Sequence, residues 1–534
     1  MVFLFQFQIM TTKEKFIEEI TKGYTFKGDS ITIGGAMLDG ECQTGTLVKI
    51  PLKTLNRHGL IAGATGSGKT KTLQILAEQM SAKGIPSLLM DIKGDLSGIA
   101  VPSDGHPKID ERHEKIGFPF EPGDSPVEFL SLSGEKGVKL RATVTEFGPV
   151  LLSKILELNN TQSGVVAVAF KYADDKDLPL LDLKDLKKIL QWISKEGKKE
   201  IEADFGRIST STVGAIMRKI VALEQQGADT FFGERSFDVE DLCRIDENGK
   251  GIVSVLRLTD IQDKPKLFST FMLQMLAEIY TTFPEKGDSG QPELVIFIDE
   301  AHLIFKESSK TLLDQIETIV KLIRSKGVGV YFVTQNPTDI PEDVLGQLGL
   351  KIQHALRAFT AKDRKAIKLA AENYPVTEFY DTKNIFTKLG IGEAMITALN
   401  EKGIPTPLVH TMLRAPQSRM DVLTDDEIDI IIRKSEIIQE YNKEIDRESA
   451  YEILTRKIKL AHKEENQREL MKQNEKVVTK RTVKKEKSTF DEILNSQVGK
   501  TITRELTRGI LGMLGIKTTT RRKRRTTSRK GFWF

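Results

Sequence analysis

Apolar and polar positions along the chain alternate between two periods, and the switches predict the architecture. A short apolar run, Gly59 to Ala62, enters a glycine-rich turn and then a helical stripe at Leu73, Leu76, Ala77 and Met80, which Gly84 ends. A buried strand follows at Ser87–Asp91. Strand-like runs return at Gly251–Leu258, Leu294–Ile298, Gly329–Thr334 and Lys351–Ala358, with helical periods between them. That alternation predicts a doubly wound α/β domain on a mostly parallel sheet. Between them, 101–250 reads as a mainly helical insertion, with helices at Asp182–Ile193 and Thr210–Gln225. Asp29–Leu55 is Gly-punctuated and weakly alternating, a small β element. The expected organisation is an N-terminal segment (1–28), the β element with the start of the core (29–100), the insertion (101–250), the rest of the core (251–415), a charged helical extension (416–480) and a flexible basic tail (481–534).

Composition narrows this picture. At 534 residues the chain exceeds one hydrophobic core, and 39% hydrophobic with 29% charged residues suits a folded protein with a charged surface. Cys42 and Cys243 are too few and too far apart for a disulfide framework, which points to a reducing compartment. The apolar opening MVFLFQFQIM lacks a basic n-region and is too short to span a bilayer, so a cytoplasmic protein without stable membrane insertion is expected. From Gln497 onward there are eleven Lys or Arg and one acid, so this end carries +10 in a chain whose net charge is +4.

The candidate chemistry sits where strands end. Gly63-Ala64-Thr65-Gly66-Ser67-Gly68-Lys69-Thr70 satisfies G-x-x-x-x-G-K-[ST] between a strand and a helix. Glycines let backbone N–H groups curl round a phosphate, and the helix N-terminus adds partial positive charge. Lys69 then reaches the β- and γ-phosphates of ATP and the Thr70 hydroxyl ligates Mg²⁺. The strand Leu294–Ile298 ends in Asp299 and Glu300. Asp299 is placed to hold the Mg²⁺ shell, and Glu300 to act as general base on the attacking water. An acid at that second position, with no N-K-x-D motif, favours adenine-nucleotide hydrolysis. Asp299–His302 spells DEAH, but the accompanying helicase motifs are missing. Gln335, ending the next strand-like run, is a candidate sensor or else a turn residue before Pro337. Arg357 is a candidate for acting on a neighbouring subunit's nucleotide, with Arg324 as second choice; either could equally be a surface salt-bridge residue. Asp91-Ile-Lys-Gly-Asp95 bears on nucleotide or substrate, or simply turns the chain.

Together, Asn56–Thr70, Asp91–Asp95, Phe297–His302, Arg324–Gly329 and Val333–Pro337 resemble the HerA-like branch of the HerA–FtsK ATPases, in order and spacing, over about Ile31 to Ala415. The resemblance implies a RecA-like ATPase core, a hexameric homo-oligomeric ring and ATP-driven movement of double-stranded DNA through the pore. It carries Lys69 and Thr70 over as nucleotide ligands, Asp299 as the Mg²⁺ residue, Glu300 as catalytic acid, Gln335 as sensor and Arg357 as trans-acting arginine. The N-terminal β-barrel of archaeal members is shortened here to about Asp29–Leu55, which leaves a nuclease partner open. A protein-remodelling or secretion-type ATPase and a slow nucleotide-dependent scaffold are the alternatives. The tail, with Arg521–Arg525, Phe532 and Trp533, suits nucleic acid without sequence preference or a solvated end.

Overall fold

In the computed structural model, which describes residues 10–478 apart from 133, 262–263, 288, 308–309, 444 and 446, strand residues alternate between two cores. Leu294, Ile296 and Ile298 face one core while Val295 and Phe297 face the other; Val328, Val330 and Phe332 divide from Tyr331 and Val333 in the same way. Burial on both faces is why these strands read as continuous apolar runs.

The strands are β1 (Ser30–Leu38), β2 (Glu41–Pro51), β3 (Gly59–Ala62), β4 (Ser87–Asp91), β5 (Val127–Ser131), β6 (Val138–Lys139), β7 (Val253–Arg257), β8 (Leu294–Ile298), β9 (Val328–Thr334), β10 (Leu350–Gln353), β11 (Glu393–Thr397) and β12 (Val409–Leu413). They form one sheet in the order β2-β1-β12-β11-β10-β3-β9-β8-β4-β7-β5-β6. From β10 to β6 the pairs are parallel; from β11 to β2 they are antiparallel. The β element at Asp29–Leu55 is therefore a wing of the central sheet, joined to it through β12.

Helices cover both faces: α1 (Thr12–Gly23), α2 (Lys69–Ala82), α3 (Pro107–Ile116), α4 (Val144–Ile155), α5 (Asn160–Asp175), α6 (Leu183–Ser194), α7 (Lys198–Phe205), α8 (Thr210–Glu224), then Pro265–Thr282 and Lys310–Ile323. Capping boxes begin α4, α5 and α6, with Thr143, Asn159 and Asp182 each satisfying first-turn N–H groups. The stretch 101–250 thus holds α3–α8, but also β5 and β6, which extend the sheet beyond β7. Glu128 interrupts the apolar run of β5; it is buried there because Arg244 Nη2 lies 2.9 Å from its Oε2. The run at Lys351–Ala358 is strand only to Gln353. Beyond it Ala355 O accepts from Ala64 N at 2.7 Å, and Leu356 N donates to Phe386 O at 2.8 Å, so this backbone supports a loop rather than the sheet. Charged helices at Asp425–Arg433 and Ala450–Val478 follow the core. The tail with Arg521–Arg525, Phe532 and Trp533 lies outside the described residues. No helix among the described residues is long and apolar enough to cross a membrane.

On Pro265–Thr282, Glu278 borders a small cavity shared with Leu88, Phe237, Phe271 and Met275. Burial pushes its carboxyl up to about 8, Glu146 and Asp238 add to the push, and a hydrogen bond with Gln274 opposes it. The folded state therefore binds an extra proton between the ordinary value near 4.5 and about 8. Stability contributed by this site is intact below that window and declines as pH rises through it. Glu278→Gln, a shape match to the protonated acid, should remove this decline. Its melting temperature relative to wild type should rise steadily from pH 5 to pH 8; a constant difference would overturn this assignment.

Candidate functional site

β3 feeds its chain into a loop that only glycine can complete. Gly63 has φ +156°, and a Cβ there would meet His354 Cβ at 2.5 Å and Ser67 Oγ at 2.9 Å. Gly68, at φ +112°, is the N-cap of α2. The loop is pinned on both flanks: Gly63 N donates to Thr334 O at 3.1 Å, and Gly392 N to Ser67 O at 3.1 Å. Ala64 is half-buried, while Thr65 and Gly66 form the exposed crown. The first-turn N–H groups of α2 have no intrahelical partner, so the loop and helix end make a cradle for an anion. Lys69, at 5% exposure, folds back so that Nζ donates to Gly63 O at 2.7 Å and Ala64 O at 3.2 Å. Burial, then the charge of Lys93, lowers its pKa against the pull of Glu300, Asp299 and Asp95.

β8, two strands from β3, delivers the acids to the same edge. Asp299 is 3% exposed and its Oδ2 has no hydrogen-bond partner. Burial pushes its carboxyl up to about 6, with Glu300 and Asp95 adding and Lys93 opposing. Glu300 adopts φ +45°. Its carboxylate is gripped two ways: Lys93 Nζ contacts Oε1, and Gln335 Nε2 donates to both oxygens at 3.3 and 3.4 Å; His302 Nδ1 lies 3.0 Å from Oε2 without hydrogen-bonding to it. Burial raises the Glu300 pKa, but the Lys93 contact, helped by Gln335 and His302, outweighs it and leaves the acid below its ordinary value.

The turn after β4 completes the arrangement. Asp91 accepts from Gly94 N at 2.7 Å, Asp95 N at 3.1 Å and Leu96 N at 3.1 Å, which folds the Asp91–Asp95 turn onto itself. This sends Lys93 over the acids and Asp95 towards α2, where Thr70 Oγ1 donates to Asp95 Oδ2 at 3.2 Å. Sequence reasoning marked this turn but not the aim of Lys93, which depends on β4 lying beside β8. His354 was missed altogether; fully buried beneath the loop, its Nε2 is 2.9 Å from Thr72 Oγ1.

Gly63–Thr70, Asp299, Glu300 and Gln335 thus share one edge of the sheet. Arg357 is exposed, two residues beyond the loop-supporting Ala355. Arg324 is exposed on a 3₁₀ turn just before β9, at the opposite edge.

The donors suit a hard divalent cation beside a nucleotide. Asp299 Oδ2 and Asp95 Oδ1 are buried oxygens without hydrogen-bond partners, and Thr70 supplies a hydroxyl. Mg²⁺ takes such oxygens with one or two carboxylates and substrate phosphates. No self-sufficient cage of three or more His, Cys, Asp or Glu exists among the described residues, and none is needed for that mode.

Residues 37–521, most of the chain, match the family described as helicase HerA-like C-terminal. Similar proteins include the DNA double-strand break repair helicases HerA of Sulfolobus acidocaldarius, 24% identical over 377 residues, and of Saccharolobus solfataricus, 25% identical over 386. Each alignment covers 67% of this chain and 66% of the relative, so the chain spans just under two thirds of those proteins' length. Among solved structures, the bacterial conjugative coupling protein TrwBdeltaN70 in complex with sulphate shares the fold. Its TM-score is 0.50 at 14% identity, covering 76% of this chain and 94% of that one.

Proposed function

The chain belongs to the helicase HerA-like family, and from that premise we propose that it is a Mg²⁺-dependent ATPase that works as a ring-forming DNA motor. The observation that carries this reading is the meeting, at one sheet edge, of a phosphate loop, a buried carboxylate whose Oδ2 accepts no hydrogen bond and a second carboxylate held in fixed orientation. The loop N–H groups and the α2 terminus bind the phosphates. Lys69 leaves the carbonyls of Gly63 and Ala64 for the β- and γ-phosphate oxygens. Thr70 and Asp299 would hold Mg²⁺, with Asp95 behind Thr70. The chemistry such an ion would supply is neutralisation of charge on the phosphate oxygens, which would favour departure of ADP. Glu300 accepts a proton from the water that attacks the γ-phosphorus, while Gln335 fixes both that carboxylate and the water. The new P–O bond forms as the bond to the bridging oxygen of ADP breaks.

Lys69→Ala removes the buried cation of the cradle. Nucleotide affinity should fall at least tenfold, as measured by titration with a fluorescent ATP analogue. Unchanged affinity would show that the cradle is not the nucleotide site.

The DNA motor rests on the family, and the ring, hexameric by the same resemblance, is its natural working form. The test is phosphate release with and without duplex DNA, alongside native mass with and without ATP and Mg²⁺. Strong stimulation and a nucleotide-dependent ring are expected. Turnover indifferent to DNA would favour an ATPase that remodels or exports protein. Negligible turnover would favour a scaffold, and a monomer under both conditions would overturn the ring.

A further inference from the structure

Asp299 and Glu300 put two acids side by side in a buried corner, with side chains only 5% and 7% exposed, and the charge of Asp95 also bears on Asp299. Such a group is costly without a counter-charge. Lys69, the cation expected at a phosphate loop, is occupied by the carbonyls of Gly63 and Ala64. Lys93 supplies the charge instead: its Nζ contacts Glu300 Oε1 and lies 3.9 Å from Asp299 Oδ2. The aim of this side chain is built into the fold. Met90 of β4 pairs with Ile298 of β8, so the residues that follow the two strands face each other. The three hydrogen bonds to Asp91 fix the turn. Gly94, at φ +77°, sits where a Cβ would meet Thr259 Cγ2 at 2.9 Å, so the tight turn needs glycine there. Yet the Lys93 side chain is 35% exposed, which leaves its amine a path to solvent that the carboxylates lack.

We infer that Lys93 is the internal counter-ion of the Asp299–Glu300 pair and controls when a divalent cation can bind there. Without nucleotide, its ammonium neutralises the pair, steadies Glu300 and competes with a divalent ion for Asp299. When nucleotide enters, its phosphates bring negative charge to the same corner. The ammonium then swings to the phosphate oxygens and vacates Asp299, and the divalent ion enters with the nucleotide rather than before it. Lys93 is a positioning residue for Glu300 in the first state and a phosphate ligand in the second. The inference rests on the reading of this edge as a nucleotide site, and it adds an order of binding to that reading.

The test uses Mn²⁺ in place of Mg²⁺, with free Mn²⁺ followed by electron paramagnetic resonance on the full chain. Wild type should bind Mn²⁺ weakly alone and strongly with a non-hydrolysable ATP analogue. Lys93→Met should bind Mn²⁺ without nucleotide at least tenfold more tightly than wild type. Lys93→Arg, which keeps the charge, should return that affinity towards the wild-type value. Adding Asp299→Asn to Lys93→Met should abolish the gain, which ties it to this carboxylate. In turnover assays Lys93→Met should raise KM for ATP and lower kcat, with partial rescue by arginine. Equal or weaker nucleotide-free Mn²⁺ binding by a folded Lys93→Met protein would overturn the counter-ion role. A wild type that bound neither the analogue nor Mn²⁺ with it would overturn the nucleotide-site reading instead, so the two failures are distinguishable.

Discussion

Glu300→Gln should bind ATP within a few-fold of wild type and hydrolyse it roughly 10²- to 10⁴-fold more slowly, the usual contribution of a positioned general base. The position is built for a fixed carboxylate. A φ of +45° is uncommon for a residue with a side chain, and it is held where the surroundings over-determine it. Here Ala301 N donates to Val333 O at 2.9 Å just after it, while Lys93 and Gln335 grip the carboxylate itself. Glutamine keeps the length, planarity and one acceptor oxygen, so the local fold should persist. What disappears is the capacity to take a proton from water. Binding should survive because the phosphate contacts come from Gly63–Thr70, on a different element. The measurement pairs titration of a fluorescent ATP analogue with single-turnover phosphate release. Turnover at the wild-type rate would remove Glu300 from the role of base.

What the sequence disclosed about this site followed the range over which each signal acts. The glycine-rich loop was legible because Gly63–Thr70 is one continuous stretch whose shape is set within a turn of chain. Asp299 and Glu300 were legible because a buried strand ending in two acids is a local pattern. The parallel core and its alternation with helices were legible for the same reason. Lys93 and His354 were not, because their contacts depend on which strands become neighbours. Nothing near Asp91 announces that β4 will lie beside β8, nor does anything near Gln353 announce that β10 will lie beside β3. The wing was obscured likewise: Gly34 pairs with Leu413, a partner from the far end of the core. Local pattern also failed where a polar pair replaced an apolar residue, as Glu128 with Arg244 did in β5. Arg357 marks a different limit. Its backbone lies close behind the loop support, but an arginine that serves a neighbour has its partner outside the chain.

Arg357→Ala should leave nucleotide affinity nearly intact while lowering turnover by roughly 10³-fold or more, the scale of an arginine that stabilises phosphoryl transfer. The charge matters most as the γ-phosphate departs, so loss should fall on kcat rather than on binding. The exposed side chain suits this role, since a trans-acting arginine must be free to meet a second subunit. Complementation separates this from a defect within one chain. If the assignment holds, Lys69→Ala should bind ATP poorly and Arg357→Ala should fail to complete its neighbour's site, so neither pure variant should assemble a fully working interface. In a mixed ring, the intact Lys69 of one subunit can face the intact Arg357 of the next. Titrating one variant into the other at fixed total protein should therefore raise phosphate release to a maximum at intermediate ratio. A flat line at zero, with mixed rings verified by differential tags, would exclude Arg357 and turn attention to Arg324. That residue stands at the opposite edge of the sheet, so the same titration with Arg324→Ala would then ask whether the neighbour approaches by that edge instead.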